Sequence, residues 1–148
     1  MMKGYVCKVC GYISINGRAP EQCPVCHAPK TAFSEKDNAI NTIANPANKT
    51  DAEKKHVPSV VILRKCGLIP DGCIDAHVKV GDVLHPMQKE HFIGHIDFYI
   101  DNELVKRSTL LPDKINPAAA LHIKAQSGKL TVIEWCNLHG AWINEVKF

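Results

Sequence analysis

Long apolar runs are missing from this sequence: no stretch approaches the roughly 20 apolar residues needed to cross a bilayer. An apolar leader is missing too, because Met1-Met2-Lys3-Gly4 runs straight into the first cysteine pair. Both absences point to a cytoplasmic protein with no membrane partner. Aromatic residues are scarce, 6% of 148, and no basic cluster is interleaved with them, so nucleic acid is not an expected partner. The chain also lacks a strong charge of either sign. Its formal net charge of +3 lies in residues 1–50, with six Lys and Arg against three Asp and Glu, whereas residues 51–148 balance at twelve and twelve. Four thiolates on a divalent metal would contribute about −2 and cancel most of it.

Cysteine is what the chain does have. Four of the seven, Cys7, Cys10, Cys23 and Cys26, crowd into the first 26 residues as two Cys-x-x-Cys knuckles. In a reducing compartment such pairs bind metal rather than form disulfides. Too few apolar residues surround them to hold a fold unaided, so a four-thiolate metal is expected to supply the stability. Gly11 allows the backbone a positive φ and lets amides turn toward the sulfurs. Spacing alone leaves zinc and iron even, since a structural zinc ribbon uses the same ligands.

The fuller pattern is Tyr5-Val6-Cys7-x-x-Cys10-Gly11-Tyr12, Ala19-Pro20-Glu21-x-Cys23-Pro24-x-Cys26, then Ala28-Pro29-Lys30 and Phe33. It resembles the rubredoxin-like domain of rubrerythrins over nearly all of residues 4–33. The resemblance implies an electron-carrying iron on the four cysteines, replaceable by zinc. His27 stands where that family usually has Gly, and we read it as a residue absorbing a left-handed turn. Residues 1–36 are thus expected to form this small domain and 37–52 a polar linker, with a short helix conceivable from Glu35 to about Ile43.

From residue 53 to the end the texture is that of strands. Val57–Leu63, Ile74–Val80, His91–Ile100, Ala119–Ala125, Leu130–Cys136 and Trp142–Phe148 carry β-branched or alternating patterns. Gln126-Ser127-Gly128 reads as a hairpin turn between two of them. About seven short strands argue for a mainly β chain whose residues 53–148 form an immunoglobulin-like antiparallel β-sandwich.

In Cys136-Asn137-Leu138-His139-Gly140-Ala141-Trp142, a thiol at a strand end and an imidazole three residues on can face one point, and two ligands do not complete a metal site. Lys55-His56-Val57-Pro58, then Gly81-x-Val83-x-His85-Pro86-Met87-x-x-x-His91-Phe92-Ile93, then this last block resemble the superoxide reductase family of desulfoferrodoxins and neelaredoxins. The resemblance runs from about residue 53 to the end. It implies one catalytic iron held by His56, His85, His91 and His139, with the Cys136 sulfur axial and a sixth position open. It also implies one-electron reduction of superoxide to hydrogen peroxide, with the N-terminal iron relaying electrons from a rubredoxin or a flavoprotein reductase. A homodimer or higher homo-oligomer is expected on the same ground. Five donors exceed the four of structural zinc, and mixed imidazole and thiolate ligation suits iron, copper or zinc. Competing readings are a cupredoxin-type electron carrier, whose usual axial Met has no counterpart after His139 here, and a zinc-stabilised binding module.

Lys55 stands where that family has a lysine near the open position, where its charge would attract superoxide and help deliver a proton. The family's usual carboxylate position is Lys54 here, and Glu53 lies one residue further off. His95 replaces a common tryptophan and, by strand spacing, should share a face with His91; a hydrogen bond there is conceivable, but a packing or surface role is the one expected. His77 and His122 read as structural or exposed, and Cys66 and Cys73 as a pair that only oxidation would join.

Overall fold

Alternate apolar side chains set the strands, and the computed structural model describes all of residues 1–148. In Ile74–Val80, for example, Ile74, Ala76, Val78 and Val80 turn inward while His77 and Lys79 face out. Ten strands result, numbered in chain order: β1 Met2–Cys7, β2 Ile13–Ser14, β3 Phe33–Asn41, β4 Pro58–Leu63, β5 Ile74–Val80, β6 Ile93–Ile100, β7 Glu103–Thr109, β8 Ala118–Ile123, β9 Lys129–Cys136 and β10 Gly140–Lys147. The one α-helix, α1, is Asp51–His56.

The chain is a β-sandwich of unequal layers. One sheet has three strands in the order β4-β5-β8, and the other has seven in the order β2-β1-β3-β10-β9-β6-β7. Ile74, Ala76, Val78 and Val80 of the small sheet pack on Ile96, Phe98, Leu130 and Val132 of the large one, which is the main core. Burying these side chains stabilises by about 1.5–3 kcal/mol each.

The large sheet is covered on its other face too. Tyr12, Ile13 and Ile40 from the N-terminal module pack against Tyr99, Ile133 and Ile143. The Tyr99 hydroxyl donates to the Ile13 carbonyl at 2.7 Å, and the Tyr12 and Tyr99 rings stack at 6.1 Å. Residues of β9 are therefore buried on both sides, from Leu130 to Glu134.

Two local expectations are corrected. The segment after Phe33 is strand β3, not a helix; it pairs antiparallel with β1 and, through Ile40 and Asn41, parallel with Ala141 and Trp142 of β10. Residues 37–41 of the expected linker thus lie inside the sheet. Gln126-Ser127-Gly128 does not close a hairpin either. β8 pairs with β5 in the small sheet, and β9 pairs with β6 and β10 in the large one, so this turn crosses between layers. Gly128 and Phe148 exchange backbone hydrogen bonds at the crossing. Strand β7 carries no clear apolar pattern and was not among the segments legible in the sequence.

Candidate metal centres

Helix α1 brings the first imidazole of the C-terminal cluster into place. Thr50 caps the helix: its hydroxyl accepts from the Glu53 amide at 3.2 Å, while the Glu53 carboxylate accepts from the Thr50 amide at 2.8 Å. The other Glu53 oxygen accepts from the Ala44 amide at 3.0 Å. Those amides hold the carboxyl below its usual range. This carboxylate is thus committed to the helix start, while Lys54 points to solvent near Asp51.

The end of α1 sits on the loop that carries His85. Val83 donates its amide to the Lys54 carbonyl at 3.0 Å, and Gly81 lies so close that a Cβ there would stand 2.5 Å from that oxygen. The glycine of the Gly-x-Val-x-His block is therefore a packing requirement. Asn137 fixes the opposite side: its side chain accepts from the Phe92 amide at 2.9 Å and donates to the Glu90 carbonyl at 3.0 Å. That latch sets the Cys136 loop against His91. Gly140, at φ +75°, makes the turn that returns the chain after His139.

The four imidazoles close into a ring. Neighbouring centroids lie at 4.8 Å for His56–His85, 4.5 Å for His85–His91, 5.1 Å for His91–His139 and 4.8 Å for His139–His56. The diagonal from His56 to His91 is 6.3 Å. The Cys136 sulfur lies 3.6 Å from His139 Nδ1, and His139 Nδ1 lies 3.1 Å from His56 Nε2. Trp142 stacks on His56 at 5.0 Å and closes that side.

His56 and His85 each use Nδ1–H on a backbone carbonyl, Ala52 at 2.8 Å and Pro86 at 2.7 Å, which leaves both Nε2 atoms as lone-pair donors. The Nε2 atoms of His85 and His91 are buried with no hydrogen-bond partner. Burial pushes His85 down to about 4 and lowers His56 and His91, keeping the imidazoles in the neutral form a metal needs. The donor atoms of His56, His91, Cys136 and His139 all lie within 4.8 Å of one another, and this group, with the unpartnered Nε2 of neighbouring His85 beside it, fits a bound cation. Lys55 is exposed beside this ring, and its charge is among the causes that lower His56 and His91.

The second centre lies in the N-terminal module. Cys7 Sγ is 3.6 Å from Cys26 Sγ, Cys10 Sγ is 3.5 Å from Cys23 Sγ, and all four sulfurs lie within 4.8 Å of one another. Burial acts to raise the Cys7 thiol, but the amides of Cys10 and Val9 prevail and bring it to about 7. His27 has φ +65°, the left-handed turn expected of it.

His95 packs as expected, but not on the face it was expected to share with His91. A bulge between Ile93 and His95 shifts the strand's alternation, so His95 turns to the outer face and away from the ring formed with His91. There it stacks on Trp135 at 5.8 Å and accepts from Arg107 Nη2 at 3.2 Å. Sequence reading missed Arg107, Trp135 as a stacking partner, and Glu134, whose two oxygens are buried without partners and whose carboxyl burial drives well up. The only signals available were an arginine in a polar strand and a carboxylate in an apolar one.

A sandwich with a His4Cys cluster at one end and a four-thiolate cluster against its outer face defines a two-centre metalloprotein. The chain belongs to the desulfoferrodoxin family, an iron-binding family that matches residues 48–145, and residues 5–34 match the rubredoxin-like domain of rubrerythrin. A desulfoferrodoxin from Syntrophotalea carbinolica is 35% identical over 144 residues, covering 95% of this chain and 94% of that one. A superoxide reductase from Pyrococcus horikoshii is 34% identical over 105 residues, 64% of this chain and 87% of that one. Among solved structures, a single-residue variant of the superoxide reductase (neelaredoxin) of Ignicoccus hospitalis superposes with a TM-score of 0.59 at 26% identity, over 74% of this chain and 92% of that one.

Proposed function

We propose that this protein is a superoxide reductase, converting superoxide, one electron and two protons to hydrogen peroxide. The observation that carries the reading is the ring of His56, His85, His91 and His139 with the Cys136 sulfur beside it, five donors where closed zinc sites use four. Iron held by these five would supply the electron, with the thiolate raising its electron density. The rest falls to the chain. Backbone carbonyls fix His56 and His85 as Nε2 donors, and Trp142 covers one side of the ring. Lys55 attracts the superoxide anion and assists proton delivery. Glu53 is held by two amides and Lys54 carries the wrong charge, so neither residue closes the open position.

The tetrathiolate centre on Cys7, Cys10, Cys23 and Cys26 serves in this reading as an iron relay, fed by a rubredoxin or a flavoprotein reductase in the cytoplasm. Its support is a run of contacts from one centre to the other: Cys10 carbonyl to Arg107, Arg107 to His95, His95 stacked on Trp135, and Trp135 bonded to Cys136. We take residues 1–36 and 53–148 as the two functional units; of the residues between, 37–41 complete β3 and 42–52 connect the two. Strands β4, β8 and β7 leave sheet edges that a homodimer or larger oligomer would cover.

The test is the visible spectrum of anaerobic, iron-replete protein before and after limiting superoxide. Two sets of thiolate-to-iron bands, one of them appearing on oxidation by superoxide and vanishing in Cys136→Ser, are expected. No spectral response to superoxide in an iron-loaded protein would overturn the reading.

A further inference from the structure

A third cluster of metal-binding groups lies apart from both centres. Cys66 sits in the loop between β4 and β5, Cys73 immediately precedes β5, Asp75 is its second residue, and His122 lies directly opposite Asp75 on β8. His85 is tied to the other end of β5, where its amide donates a hydrogen bond to the Val80 carbonyl at 2.7 Å. Six residues of strand, about 20 Å, therefore separate this cluster from the His4Cys ring.

The four side chains converge. Cys66 Sγ lies 3.4 Å and Cys73 Sγ 3.7 Å from His122 Nδ1, Cys73 Sγ lies 3.5 Å from an Asp75 oxygen, and that oxygen lies 2.8 Å from His122 Nδ1. All four donor atoms fall within 4.8 Å of one another. A tetrahedral zinc ion with ordinary bond lengths spaces sulfur and nitrogen or oxygen ligands by about 3.4–3.6 Å; the Cys66–His122 and Cys73–Asp75 separations already match, and Cys73–His122 at 3.7 Å lies just beyond. Only the Asp75–His122 hydrogen bond has to lengthen.

The backbone gives a second, independent sign. At Cys66 the amides two and three residues on, Leu68 and Ile69, both point at the sulfur at 3.3 Å. The same two positions do so elsewhere in the chain: Val9 and Cys10 at Cys7, Val25 and Cys26 at Cys23, and Leu138 and His139 at Cys136. Those three cysteines belong to the two centres already described. Cys66 is thus folded into the same thiolate-supporting turn, although no second cysteine follows it in a Cys-x-x-Cys knuckle.

We propose that Cys66, Cys73, Asp75 and His122 form a third metal site, taking zinc in a closed, four-coordinate arrangement. Two thiolates, an imidazole and a carboxylate complete a tetrahedron and leave no open position, so the role is structural. The ion would tie the long loop of residues 64–73 to β8, with both thiols losing their protons to solvent on binding. No electron moves in this step, and the proposal is independent of any reaction with superoxide.

The test uses the whole protein, purified under reducing, anaerobic conditions with iron and zinc both supplied. Native mass spectrometry and metal analysis would compare it with His122→Ala and with the double variant C66S/C73S. The expected result is one zinc ion more in the unaltered protein than in either variant, with both sets of iron bands kept. Zinc replacing iron among the four N-terminal cysteines would raise all three proteins alike, so only the difference is read. Equal zinc contents, or a Cys66–Cys73 disulfide in the reduced preparation, would overturn the proposal. If C66S/C73S fails to fold, His122→Ala decides, because His122 is exposed: added zinc should raise Tm in the unaltered protein and not in this variant.

Discussion

Arg107 donates to the carbonyl oxygen of Cys10 at 2.7 Å, reaching from the sandwich into the four-cysteine cluster. Its Nε and Nη2 simultaneously grip both oxygens of buried Asp97, each at 2.7 Å. Removing the guanidinium leaves a carboxyl that burial already disfavours in its charged form. Arg107→Ala should therefore cost about 3–5 kcal/mol, the usual consequence of breaking a buried pair from one side. Denaturant unfolding of the metal-loaded protein measures it, and an unchanged midpoint would remove Arg107 from the fold's supports. His95→Ala keeps the Arg107–Asp97 pair, so slowed electron transfer between the centres in that variant would report on the route alone.

Lys55→Ala should slow the second-order reaction with superoxide by about tenfold or more and weaken its dependence on salt, since steering by charge acts on the encounter. Stopped-flow or pulse-radiolysis rates at two ionic strengths would decide. Equal rates would reduce Lys55 to a solvated surface residue.

Lys54→Glu places a carboxylate where this chain has an ammonium. We expect the oxidised protein to bind azide less readily after this change, and its visible band to shift. The unaltered protein refusing azide as completely as the variant would show that another group already occupies the open position.

The start of α1 has a pH signature. Glu53 has a folded pKa below its unfolded value, because the Ala44 and Thr50 amides stabilise the carboxylate. Its contribution is complete above the unfolded value of about 4.3 and is lost as pH falls through the lower folded value. Glu53→Gln should flatten this part of the acid unfolding curve. Thr50→Ala, which removes the other half of the cap, should cost about 1 kcal/mol at neutral pH. Thermal unfolding from pH 7 to pH 3 checks both.

Gly81→Ala would push a methyl group into the Lys54 carbonyl. The last turn of α1, with His56, must then move from its place in the ring. A loss of about 1–3 kcal/mol is expected from the overpacking, with weakened iron retention against a chelator. Full retention would mean the loop can yield without disturbing His56.

Much of this architecture was open to reading in the chain itself, for a physical reason. Strands such as β5 and β9 carry β-branched residues whose burial alternates or saturates, and the ligand types announce themselves as His and Cys beside Pro and Gly. Strand β3 was hidden because Phe33–Asn41 is polar, with exposed Glu35, Lys36, Asp37 and Asn38, and only its end is gripped by β10. Strand β7 was hidden likewise, as a half-exposed edge. The face of His95 depended on one bulge, and the meeting of Cys66 with His122 depended on the register of β5 against β8. Neither is written in local spacing.

Because β3 lies along β10, and Tyr12, Ile13 and Ile40 cover Tyr99, Ile133 and Ile143, the first forty residues behave as a subunit that never dissociates. Cutting them away would bare an apolar sheet face and an unpaired β10 edge, the combination that drives aggregation. Dilution cannot separate the two halves, so any exchange between them is first order, unaffected by protein concentration where two free proteins would have to find each other.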